Sequence, residues 1–201
     1  LTQYDLFSEP QDGGRVDLDY YPTPQWLIEA AVSRLWRCYQ TILDAGSGDG
    51  RLAASVVDHR LPHPSQVTAV ELHEERAAAL PDDWEVVCAS YPEWAKSVAG
   101  KRSFDLIITN PPFSRWLEFV DASLPLLAHN GVLLALGFSN ILGSRKRAVW
   151  WQKHRPSKIL QSPRRPQYKP GSNNGDPRET IWVQWGPGMS TKTTFDWLTD
   201  Y

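Results

Sequence analysis

Ile42-Leu43-Asp44-Ala45-Gly46-Ser47-Gly48-Asp49-Gly50-Arg51-Leu52-Ala53 passes from a short apolar strand, through three glycines, into a helical pattern. Glycine has no Cβ and reaches backbone conformations closed to other residues. A turn built this way lets main chain approach a ligand at the carboxyl end of a sheet. Its spacing departs from the dinucleotide-binding G-x-G-x-x-G pattern, and no phosphate-loop lysine follows. Tight packing alone is the other use of such a turn. Glu71 lies about 20 residues further on, at the end of the next strand, where an acid can hold both hydroxyls of a ribose.

The same alternation extends outward. Thr23 is predicted to cap a helix opened by Pro24, with Trp26, Leu27, Ala30, Ala31 and Leu35 at helical spacing. Strands are predicted over 41–45, 67–72, 84–89, 104–109, 132–138, 158–161 and 180–185, and helices over 51–58, 74–80, 117–127 (kinked at Pro125) and 143–154. Strands alternating with helices up to about residue 156 predict a mostly parallel sheet covered on both faces. The last two strands, joined without a helix, predict an antiparallel hairpin. Residues 1–22 read as an arm and 23–201 as one domain without a separate recognition domain.

A chain of 201 residues, 41% hydrophobic and 22% charged, suits one globular domain. No apolar run approaches a membrane span. Residues 1–21 carry no signal-peptide pattern, and the only methionine is Met189, so Leu1 is not an initiator. Cys38 and Cys88 are too few for a disulfide framework or a cysteine zinc site, and the five histidines show no ligand spacing. The expectation is a cytoplasmic protein without a metal. Charge is uneven. Between Asp121 and Asp176 there is no acid, while Arg145, Lys146, Arg147, Lys153, Arg155, Lys158, Arg164, Arg165 and Lys169 accumulate. Such a stretch is a solvated face or a surface for a polyanion.

Asp105-Leu106-Ile107-Ile108-Thr109-Asn110-Pro111-Pro112-Phe113 carries the chemistry. An apolar strand ends in Asn-Pro-Pro-aromatic, and the prolines make a stiff turn with fixed φ and no N–H. The Asn110 amide oxygen and the Pro111 carbonyl are two acceptors. The Phe113 ring is a flat platform. Together they suit a planar substrate bearing an NH₂ group, such as a nucleobase.

These residues resemble the S-adenosylmethionine-dependent amino-methyltransferases, most closely the compact phage and bacterial type of adenine-N6 DNA methyltransferase. The resemblance covers about residues 18–186. Tyr21-Pro22-Thr23-Pro24 is similar to the family's upstream motif at the methionine end of the cofactor. Asp44-Ala45-Gly46-Ser47-Gly48 is similar to its glycine loop, Glu71 to its ribose acid, and Asn110-Pro111-Pro112-Phe113 to its catalytic tetrapeptide. The resemblance implies a Rossmann-like class I methyltransferase fold with a seven-stranded sheet, S-adenosylmethionine as cofactor and nucleic acid as partner, DNA before RNA. Ser90 stands where the DNA enzymes commonly carry an acid for the cofactor's adenine, with Ala89 and Tyr91 beside it as the alternatives for that contact. Arg115 and Trp116, next to the tetrapeptide, and Arg145, Arg147, Arg164, Arg165, Tyr168 and Lys169 are the expected substrate contacts. Tyr168 is expected on the side of the base away from Phe113, or as cover for a patch of sheet. RNA, a protein glutamine amide and a non-catalytic cofactor-binding subunit are the competing readings.

Overall fold

The computed structural model describes residues 21–35, 37–59, 66–168, 178–186 and 192–198, and of Lys146 the backbone alone. Residues 1–20 of the expected arm, Lys169 and the loop after it lie outside the described residues. The helices are α1 (Gln25–Val32), α2 (Arg51–His59), α3 (Glu74–Ala77), α4 (Tyr91–Val98), α5 (Trp116–Ser123) and α6 (Arg145–Lys153). The strands are β1 (Thr41–Ala45), β2 (Gln66–Glu71), β3 (Glu85–Cys88), β4 (Phe104–Thr109), β5 (Leu127–Phe138), β6 (Lys158–Gln161), β7 (Thr180–Trp185) and β8 (Thr194–Trp197). They form one sheet in the order β3-β2-β1-β4-β5-β7-β6-β8.

Strands β1 to β5 pair in parallel, β7 runs antiparallel to both β5 and β6, and β8 is parallel to β6. The order reverses at β1, flanked by β2 and β4. That reversal opens a crevice at the strands' carboxyl ends, the usual ligand site of such sheets.

The sheet buries both faces, because side chains alternate with period two. Ile42, Leu106, Ile108 and Leu134 face α1 and α2. Leu43, Ile107 and Leu133 face α4, α5 and α6. Tryptophans fill much of the second core. Trp116, Trp150, Trp151 and Trp185 pack on one another, with centroids 4.8 to 6.4 Å apart. Each indole N–H finds an acceptor: Leu136 O, Asp121 Oδ1, Ile141 O and His154 O respectively. Buried tryptophan needs such a partner.

Four expectations change. The sheet has eight described strands, not seven: β8 joins the edge beyond β6. Helix α4 is an addition, and its start is written as Ser90 followed by Pro92 in the first turn, a common helix opening. Helix α5 stops at Ser123, and Pro125 sits in the 3₁₀ turn Leu124–Leu126, because proline cannot continue the hydrogen-bond ladder. Thr23 does not cap α1. Pro24 holds that position without a side-chain bond, and the Thr23 hydroxyl is used at Asn110.

Candidate active site

A cleft opens across the carboxyl ends of β1, β2, β3 and β4, where Thr23, Gly46, Gly48, Glu71, Ser90 and Asn110 come together. In the loop after β1, Gly46, Gly48 and Gly50 have φ of 71°, 58° and 77°, the left-handed region that glycine favours. At Gly46 space is short as well, since a Cβ would stand 3.0 Å from Phe119 Cε1. The N–H groups of Gly46 and Ser47 donate to Val70 O at 2.9 and 3.0 Å, tying the loop to β2.

Glu71 ends β2 and is 4% exposed. Its Oε2 accepts the Gly48 N–H at 2.8 Å. Its Oε1 accepts His73 N–H and Arg76 Nε–H, both at 3.0 Å. A carboxylate has about four acceptor sites, so Oε2 keeps capacity for another donor, such as a ribose hydroxyl. Ser47 Oγ and His73 Nε2, both in the cleft wall, are buried with no partner among the described residues. A glycine-lined floor, an acid with a spare acceptor site and two orphaned polar atoms fit a nucleoside-bearing cofactor.

Asn110 stands where β4 ends. Its Nδ2 donates to Tyr21 O and to Thr23 Oγ1, both at 2.9 Å. A carbonyl only accepts, so the amide nitrogen must face Tyr21. That leaves Asn110 Oδ1 buried without a partner among the described residues. Arg51 braces the contact: its Nη1 donates to Thr23 O at 3.2 Å while its guanidinium pairs with Asp49. Pro112 lines the cleft beside Asn110, whereas Pro111 is buried.

Phe113 opens a 3₁₀ turn and stacks on Phe138, with centroids 3.6 Å apart and planes at 28°. Tyr21 lies 6.3 Å away, and Arg178 covers the Phe138 ring at 3.8 Å. An aromatic cluster therefore abuts the Asn110 amide.

Several expected residues sit elsewhere. Asp44 does not line the cleft. It is wholly buried, accepts Ala53 N–H at the start of α2 at 3.2 Å, and is held well above the usual carboxylate range, first by burial and then by the Asp49 and Glu71 charges. Pro24 is outside the cleft too. Trp116 is 0% exposed and belongs to the tryptophan core, because its position as the first residue of α5 faces the sheet. Tyr168 is buried, its ring crossing Phe113 at 70° and 6.2 Å, with its hydroxyl 3.4 Å from Thr180 Oγ1. A base held between two rings needs parallel faces about 7 Å apart, twice a carbon contact, so this arrangement is packing. Arg115 lines the cleft and bonds Glu118 at 2.7 Å, on the cofactor side. Arg147 donates to Asn140 O at 2.6 Å, and Arg164 stacks on Trp26 of α1 at 4.0 Å. Arg145 and Arg165 are exposed. The cations do not converge, since α6 and α1 cover opposite faces of the sheet.

The sequence pattern does not point to Arg51, Arg76, Phe119 or Phe138 as site residues. Ala89 and Tyr91, the alternatives to Ser90 for the adenine contact, line the cleft with it.

No protein-family model matches the chain. Two relatives from strains of Klebsiella pneumoniae are tRNA1(Val) (adenine(37)-N6)-methyltransferases. One is 43% identical over 81 residues, 36% of this chain and 32% of the relative. The other is 30% identical over 160 residues, 64% of each. The chain thus spans less than two thirds of either. Among solved structures, the methyltransferase subunit of a type I restriction-modification system from Streptococcus thermophilus superposes with a TM-score of 0.67 at 13% identity, over 88% of this chain and 47% of that one. A Listeria monocytogenes protein described as a class I S-adenosylmethionine-dependent methyltransferase gives 0.65 at 13% identity, over 92% and 69%. Strand order, crevice and neighbours agree that this chain has the class I methyltransferase fold, a mostly parallel sheet ending in an antiparallel C-terminal hairpin.

Proposed function

We propose that the chain transfers a methyl group from S-adenosylmethionine to the exocyclic N6 amino group of adenine in nucleic acid. The observation that carries this reading is the Asn110 amide: its nitrogen is pinned by two acceptors and its oxygen is buried without a partner among the described residues. A buried acceptor without a donor is costly, by roughly 1–3 kcal/mol, and an amino group docked at the cleft would relieve it.

The cofactor supplies an electrophilic methyl carbon on a sulfonium. Glu71 would hold its ribose, the Gly46–Gly48 loop its amino-acid end together with Thr23, and Ser90 its adenine. The amino nitrogen of adenine is a weak nucleophile, because its lone pair is delocalised into the ring. Asn110 Oδ1 and the Pro111 carbonyl accept its two N–H bonds, favour a pyramidal nitrogen and turn the lone pair outward. With the cofactor held this way, an N–C bond would form at the amino nitrogen in exchange for the S–C bond, and the surplus proton would leave the nitrogen to water. Catalysis is then orientation and electrostatics, with no strong base required. The target base is unpaired or flipped from a helix.

RNA is the better supported polymer, because the relatives at 30% and 43% identity are named for tRNA. DNA is the second reading, carried by the likeness of the four motifs to the DNA enzymes. The deciding experiment offers labelled S-adenosylmethionine with unmodified RNA, DNA and protein in parallel, followed by nucleoside analysis. Label in N6-methyladenosine is the expected result. Label in protein alone would replace this reading with a glutamine-amide methyltransferase.

A further inference from the structure

Phe195 and Trp197 on β8 are 56% and 49% exposed, with rings in edge contact at 5.8 Å. Asp196 between them turns to the other face, where it pairs with Arg34 at 3.0 Å, and Leu198 is buried in the core of that face. Period two therefore sets Phe195 and Trp197 on the α6 face of the sheet. The register partner of Phe195 is Ile159, which packs on the core of that same face. A groove lined by Trp151, Arg155, Pro156, Ile159 and Thr193 lies next to the pair, since Ile159 is the strand neighbour of Phe195 and Thr193 immediately precedes β8. Arg145 and Lys153 of α6 are exposed, and the chain from Ala122 to Gly175 carries no acid.

Register relates this patch to the active site. Trp197 lies opposite Gln161, Gln161 opposite Ile181, and Ile181 opposite Gly137. The next residue of β5 is Phe138, whose ring stacks on Phe113 on the opposite face of the sheet, so a strand that meets both passes over the carboxyl edge. Three strand spacings put Trp197 about 14 Å from Gly137 along the carboxyl edge of the sheet. That is the length of about four stacked nucleotides.

We propose that the Phe195–Trp197 patch is an accessory site for unpaired nucleotides flanking the target adenine. It rests on the nucleic-acid reading above. Exposed rings on the same face as a groove rimmed by the Arg155 cation supply the two components that hold a single strand, whose bases stack while its phosphates meet positive charge. A duplex keeps its bases stacked on one another and offers the rings nothing.

The test measures fluorescence anisotropy of a labelled, unstructured, adenine-containing oligonucleotide of about twelve nucleotides, within the usual span of a single-strand site. The double variant Phe195→Ala/Trp197→Ala is expected to bind about tenfold more weakly, on the scale of base–aromatic stacking. Cofactor affinity, melting temperature and affinity for the matching duplex are expected to stay unchanged. Trp197→Phe keeps a stacking surface and is expected to retain most of the affinity. Equal affinity of the double variant and the parent overturns the accessory site, while methyl transfer to nucleic acid would still stand. A tenfold loss together with no transfer by the parent keeps the site and removes the proposed activity. A parent that sediments as a dimer and a double variant that sediments as a monomer would assign the patch to a second copy of the chain and also overturn the proposal.

Discussion

At the scale of single residues, Asn110 and Glu71 carry the site. Asn110 is positioned by Tyr21 and Thr23, which hold its nitrogen and leave its buried oxygen without a partner among the described residues. Asn110→Ala is expected to abolish methyl transfer while cofactor affinity stays within a few-fold, since the lost acceptor acts on the target nitrogen in the transition state. Single-turnover kinetics beside calorimetry would show it, and near-normal turnover would remove Asn110 from the mechanism. Glu71→Ala is expected to weaken cofactor binding markedly, because it loses a ribose acceptor and also releases Gly48. An unchanged dissociation constant would exclude Glu71 from the cofactor site. Asp44 is buried with its pKa raised above 3.8, chiefly by desolvation. Below the unfolded pKa both states are protonated and the group is silent. As pH rises from there toward the raised native value, the unfolded chain releases its proton first, so folding becomes less favourable. Relative to Asp44→Asn, the parent is therefore expected to lose stability with rising pH across that window and to level off above it. Parallel urea titrations whose difference does not vary with pH would contradict the shift.

At the scale of elements, α5 and β5 meet through Trp116. Its Nε1 donates to Leu136 O at 2.7 Å, and a Cβ at Gly137 would stand 2.8 Å from that same nitrogen. The indole is thus seated over a strand position open only to glycine. Trp116→Ala is expected to cost about 3–5 kcal/mol of stability, the range for a large aromatic in a core. The Michaelis constant of whatever remains folded should be unchanged. A raised Michaelis constant with normal melting would return Trp116 to the substrate site. Tyr168 belongs to the same class of residue. It was legible as an aromatic in a basic loop, but not as a ring buried against Phe113 and Phe138.

At the scale of the whole molecule, the described part of the acid-free segment, residues 122–168, does not form one basic patch, because its cations fall on α6, on β6 at Lys158 and beside α1 at Arg164. Polymer affinity is nevertheless expected to fall steeply as salt rises, since each neutralised phosphate releases counterions. A flat salt dependence would point to a protein or small-molecule substrate. The sequence by itself determined the alternation of strands and helices, the glycine turn, Glu71 and the Asn-Pro-Pro-Phe turn. Those signals are local: periodicity, proline and glycine act on the backbone within a few residues of where they are written. Only the tertiary structure decided that Thr23 bonds Asn110 rather than capping its own helix. The same holds for Trp116 and Tyr168 being core, and for β8 adding an aromatic edge. Each of these depends on a partner distant in the chain, 87 residues for Thr23 and Asn110, and the choice among competing partners is made by packing.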